Sequence, residues 1–91
     1  MRKEVSFKNY DRFIQLGITI ASIRKLRGMS QETLAEKAEI SRTHLSMIEA
    51  PGTAIAFSME TFYNIADALQ VSPADLLNTS VLPDSILNPK V

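Results

Sequence analysis

The chain has 91 residues, with ten Lys/Arg balanced by ten Asp/Glu, one histidine and no cysteine. That length allows one small domain burying roughly 60–65% of its unfolded surface, and the lack of cysteine excludes a disulfide framework or a thiolate metal site. No apolar run approaches the roughly 20 residues that span a bilayer, and the start, MRKEVSFKNYDRF, lacks the apolar core of a signal peptide; a cytoplasmic protein with no membrane partner is expected.

Residues 1–12 are polar with Val5, Phe7 and Tyr10 interspersed, and read as an arm or a helical lead-in. A first helix is expected from about Asp11 to Arg27, because Phe13, Leu16, Ile20 and Ile23 repeat at the three-and-four spacing of a buried stripe. Gly28 suits its C-terminal cap, with Met29 packing back. A second apolar line, Ile14, Ile18 and Leu26, exceeds what one buried stripe needs. The arm or the tail covers it, or it forms a subunit or partner interface.

Residues 31–50, QETLAEKAEISRTHLSMIEA, read as two short helices joined by a tight turn. Leu34 and Ala38 share one face, as do Leu45 and Ile48, while Ile40 plugs the angle between the helices. Ser30 and Ser41 stand at the N-cap positions. Arg42, Thr43, Ser46 and Met47 are left on the outward face of the second helix. This is the layout of a helix-turn-helix whose second helix enters a DNA groove.

The connection PGTAIAF carries no charge. Ser58 then caps a helix, METFYNIADALQ, with Met59, Phe62, Ile65, Ala66 and Leu69 on one face. Ser72-Pro73-Ala74-Asp75 opens a short fifth helix to about Asn78. Residues 79–91 contain Pro83 and Pro89 and cannot form a long helix. Their Val81, Leu82, Ile86 and Leu87 suggest a tail packed on the domain or on a partner. The body of the domain is thus 13–78.

Charge is divided unevenly along the chain. Residues 1–49 hold nine basic against six acidic side chains, a balance of +3, and residues 50–91 hold one against four, a balance of −3. The basic half contains the helix-turn-helix, the sense that DNA binding requires.

The stretch from Leu16 to Leu77 resembles the Cro/C1-type, or xenobiotic-response-element, helix-turn-helix family, through SQETLA, ISRTHLSMIE and ALQVSPADLL at matching distances. The resemblance implies an all-α fold, a compact five-helix bundle of the lambda-repressor-like DNA-binding type. It implies sequence-specific binding of double-stranded DNA by a repressor, often as a homodimer on a palindromic operator. On the matching positions, Arg42, Thr43, Ser46 and Met47 would read bases. Gln31, Ser41 and His44 would meet the sugar-phosphate backbone, Gln31 also bracing the second helix of the motif. Arg24 and Glu49 would form a structural salt bridge. The chain departs from the pattern at Glu39, where the turn usually has glycine. It also departs at Met47, often polar, and in the long connection after Ala50, which lacks the usual phosphate-binding side chains.

Arginine can bond guanine O6 and N7 together, so Arg42 is the candidate for hydrogen-bonded readout. Thr43 offers a methyl and a hydroxyl, and Met47 only packing, against thymine methyl groups or against the following loop. An enzyme is not expected: there is one histidine, no cysteine, no Gly-rich phosphate loop and no paired carboxylates. The spacing of Glu32, Glu36 and Glu39 suits a solvated face. No metal site and no cofactor are foreseen. The competing readings are a protein-interaction module, or an antitoxin-like component with a protein partner bound through the helix 1 stripe or the tail.

Overall fold

Serine starts four of the five α-helices. Ser30 Oγ accepts the Thr33 N–H at 3.0 Å, Ser41 that of His44 at 3.0 Å, Ser58 that of Thr61 at 3.1 Å and Ser72 that of Asp75 at 3.2 Å. At Ser72 the bond is reciprocated, since Asp75 Oδ2 accepts the Ser72 N–H at 3.3 Å and closes a capping box. The elements that result are a 3-10 turn (Phe7–Asn9), α1 (Tyr10–Leu26), α2 (Gln31–Ala38), α3 (Arg42–Glu49), α4 (Met59–Leu69) and α5 (Pro73–Leu77). The computed structural model describes residues 5–78, and no strand occurs among them. The expected tail, 79–91, and the first four residues of the arm lie outside the described residues.

Three helices also end in the same way. Gly28, Glu39 and Gln70 have left-handed φ of 72°, 61° and 61°. The next N–H then reaches back five residues, from Met29 to the Arg24 carbonyl, from Ile40 to Ala35 and from Val71 to Ala66, at 3.0–3.1 Å. Met29, Ile40 and Val71 pack on the core. Glu39 therefore takes the conformation that glycine favours, at a cost on the order of 1 kcal/mol. Gln70 does the same, which nothing in its neighbourhood of the sequence signalled.

The core is formed by Leu16, Ile20 and Ile23 of α1, Leu34 and Ala38 of α2, Leu45 and Ile48 of α3, and Phe62, Ile65 and Leu69 of α4. Leu76 of α5 closes it and is fully buried. α2 packs on α4 and α1 on α3. Two expected core residues lie further out. Phe13 is half-buried and meets Phe57 edge-on at 6.1 Å. Met59, in the first turn of α4, is 59% exposed.

The neutral connection after α3 has a packing reason. Ile55 and Phe57 are half-buried against the core, so the segment covers it. Arg27, at the end of α1, donates through Nε to the Leu69 carbonyl at 2.8 Å. This places a cation at the C-terminus of α4, where the helix dipole favours one. On the second apolar line of α1, Ile14 is half-buried, whereas Ile18 and Leu26 are exposed.

Candidate nucleic-acid interface

α3 buries one face and presents the other. Leu45, Ile48 and Glu49 are buried, while Arg42, Thr43, Ser46 and Met47 are exposed. Arg42 and Ser46 are four residues apart, as are Thr43 and Met47, so the four side chains form one patch. They line a shallow depression of about 210 Å³ on the surface. One cation, two hydroxyls and one soft apolar side chain therefore stand together on a short helix. That set supplies a bidentate donor, two adaptable hydrogen-bonding groups and a methyl-packing surface.

The same helix is fixed by a buried polar cluster. Arg24 Nε donates to Glu49 Oε2 at 2.8 Å and its Nη2 to Oε1 at 2.9 Å, a two-pronged pair. Its remaining Nη1 donates to the Met29 carbonyl at 2.8 Å. Gln31, the first residue of α2, donates through Nε2 to Glu49 Oε1 at 2.9 Å. The Glu49 carboxylate thus receives three side-chain donors from α1 and α2. Among the described residues, every buried side-chain N or O atom has a partner. A buried pair satisfied to this degree fixes geometry more than it adds stability.

Gly17 performs the apolar part of the same task. A Cβ at this position would overlap the Ile48 carbonyl oxygen and lie 3.1 Å from the carbonyl carbon. α1 therefore lies directly on the backbone of α3, and only glycine permits it. Sequence reasoning passed over Gly17, since a glycine inside a helical pattern does not by itself announce a close approach.

The remaining candidates sit at the N-termini of the two motif helices. Ser41 uses its Oγ as acceptor for the His44 N–H, which leaves its hydroxyl hydrogen free for an outside acceptor. His44 is half-buried one turn into α3. Gln31 has a second amide hydrogen beyond the one bonded to Glu49. The geometry brings Gln31, Glu49 and Arg24 into one cluster and sets Arg42, Thr43, Ser46 and Met47 apart on the open face. Among the described residues no group of three or more His, Cys, Asp or Glu is placed to hold a metal, and no helix is long and apolar enough to cross a membrane.

A helix-turn-helix with a braced second helix and a polar outward face defines a DNA-binding module. The comparison with known families agrees: a family model described as helix-turn-helix matches residues 20–76, and the chain belongs to this family, in its Cro/C1-type branch. Among solved structures it is similar to the restriction-modification controller protein C.AhdI from Aeromonas hydrophila. The TM-score is 0.67 at 27% identity, covering 74% of this chain and 98% of that one. It is also similar to a hypothetical transcription factor, NHTF, from Neisseria, with a TM-score of 0.63 and 27% identity over 98% of this chain and 95% of that one. A search of curated proteins finds no match. The chain is a DNA-binding transcription regulator.

Proposed function

We propose that this chain is a transcriptional repressor that acts in the cytoplasm as a homodimer, occupying a promoter with one α3 in each of two successive major grooves. Arg42, Thr43, Ser46 and Met47 face base edges, with Arg42 the principal hydrogen-bonding reader. Gln31, Ser41 and His44 face the sugar-phosphate backbone, from the N-terminal ends of α2 and α3, where helix dipoles favour phosphate. The observation that carries this reading is the division of α3 into a face held by Leu45, Ile48 and Glu49 and an unobstructed face of four exposed side chains. The similarity to a restriction-modification controller and to a hypothetical transcription factor supports the regulatory role.

The second copy is assigned to the side of the bundle away from α3. There Phe13, Phe57, Met59 and Leu77 surround an apolar depression of about 190 Å³ that no α3 residue lines. Met59 and Leu77 are 59% and 63% exposed. A copy seated on them leaves both recognition helices open.

Enrichment of bound fragments from random duplex DNA, paired with sedimentation of the free protein, tests the proposal. The expected result is a twofold-symmetric site with half-sites about one helical turn apart and a dimer in solution. A promoter carrying the site should lose expression when the protein is present. Absence of any salt-dependent binding to duplex DNA would overturn the reading.

A further inference from the structure

The stripe Ile18, Ala21, Ser22 and Lys25 on α1 follows the helical spacing of three, four and seven residues. It faces a groove of about 390 Å³ whose other wall includes Gln31 of α2, Ser46 of α3 and Pro51 of the following connection. Its floor is the Arg24–Glu49 pair, where the carboxylate is saturated by Arg24 and Gln31 and the guanidinium by Glu49 and Met29. The groove therefore contains one uncompensated cation, Lys25, which is exposed and takes no part in those bonds. Around it stand the Ser22 hydroxyl and the second amide hydrogen of Gln31. Ser46 borders both this groove and the depression on the recognition face, so the two surfaces are continuous.

We infer that this groove is a phosphodiester seat, with Lys25 as its ionic contact, Ser22 and Gln31 as its neutral donors, and Ile18 and Pro51 as the apolar wall for a deoxyribose. Three observations converge on it. The connection after α3 has no basic residue between Ala50 and Ser58, so it brings no ionic contact of its own. Arg24 and Arg27 are committed to Glu49 and to the Leu69 carbonyl. Ser30 takes the Thr33 N–H, which leaves the Gln31 and Glu32 N–H groups at the open, positive end of α2 beside the groove. Lys25 thus supplies from α1 the charge that the connection lacks, and it sets the distance of α3 from one DNA strand.

The inference rests on the DNA-binding reading and is tested so that the two fail differently. Affinity of the wild type, Lys25→Ala and Lys25→Arg for a fluorescent duplex bearing the enriched site is measured by anisotropy from 50 to 250 mM KCl. One lost phosphate contact should reduce the slope of log affinity against log salt by about 0.9, which corresponds to roughly eightfold weaker binding at 0.1 M salt. The loss should be equal on operator and unrelated duplex, because a phosphate contact carries no sequence information. Lys25→Arg should keep the slope. An unaltered slope and affinity in Lys25→Ala, with normal wild-type binding, overturns this inference alone. Loss confined to the operator overturns it too, since Lys25 would then act through base recognition. Absence of DNA binding by the wild type overturns both readings.

Discussion

Replacing Gly17 by alanine adds one methyl group at the point where α1 rests on α3. The new Cβ would overlap the Ile48 carbonyl oxygen, with the carbonyl carbon at 3.1 Å. Neither atom belongs to a flexible side chain, so relief requires the two helices to part by roughly 1 Å in a close-packed core. Overpacking of this kind costs about 1–3 kcal/mol, and more where backbone obstructs backbone. Alanine recovers about 1 kcal/mol of helix propensity, so the net loss expected is about 2 kcal/mol. For a domain of this size that is a fall in melting temperature of roughly 8–16 °C. Gly28→Ala provides the contrast: its Cβ meets nothing within 4 Å, and only its φ of 72° opposes the change, for about 1 kcal/mol.

Thermal melts followed by circular dichroism distinguish the two variants, and duplex binding at a temperature where both are folded adds a second readout. Separating α1 from α3 pulls Arg24 away from Glu49, so Gly17→Ala should weaken DNA binding as well as folding, whereas Gly28→Ala should affect only folding. A Gly17→Ala protein melting at or above the wild type would refute the argument that the helices meet backbone to backbone.

Glu49→Leu should lower stability by about 3–5 kcal/mol, because it leaves the Arg24 guanidinium buried without its partner; urea unfolding should show the double variant Arg24→Met/Glu49→Leu recovering most of that loss. Glu39→Gly and Gln70→Gly, both at φ 61°, should each stabilise the fold by about 0.5–1 kcal/mol in the same assay, since glycine accepts the left-handed conformation without a Cβ penalty. Arg42→Ala should relax preference at one base pair of each half-site by about 1–3 kcal/mol, measured against single-base operator variants. Gln31→Ala should weaken all sequences alike, and a changed base preference would contradict its assignment to the backbone.

The parts of this fold legible in the sequence are those with a local cause. A serine before an apolar repeat announces a helix start, and all four such serines accept the expected N–H. Gly28 with Met29, and Ile40 between the motif helices, follow from the same local reasoning. The Arg24–Glu49 pair came from the family resemblance, not from spacing, since 25 residues separate the partners. What stayed hidden depends on contacts between distant segments. Gly17 matters only because Ile48 lies above it. Gln70 has no signature for a left-handed φ, and Arg27 looked like one more surface cation until its bond to Leu69 was seen. The groove at Lys25 could have been found, because Ile18, Ala21, Ser22 and Lys25 form a regular stripe. Its significance depends on Gln31 and Ser46 forming the opposite wall.

The zero net charge of the chain becomes intelligible once the basic side chains are assigned. Arg24 holds α3 in place, Arg27 terminates α4, and Arg12 bonds Asn9 within the first turn of α1. These charges are used for folding, so they contribute little to the attraction of DNA. On the motif side Arg42 is exposed, with Lys25 as the proposed second cation. With about two phosphates or bases met by cations per copy, affinity would fall roughly tenfold between 50 and 200 mM salt for one copy and roughly a hundredfold for two. One copy of such a module binds weakly, and the gain comes from joining two, because the second copy then engages at high effective concentration. The proposed dimer is therefore the counterpart of the sparse charge: a chain that commits its arginines to holding α3 rigid obtains its grip on DNA from symmetry.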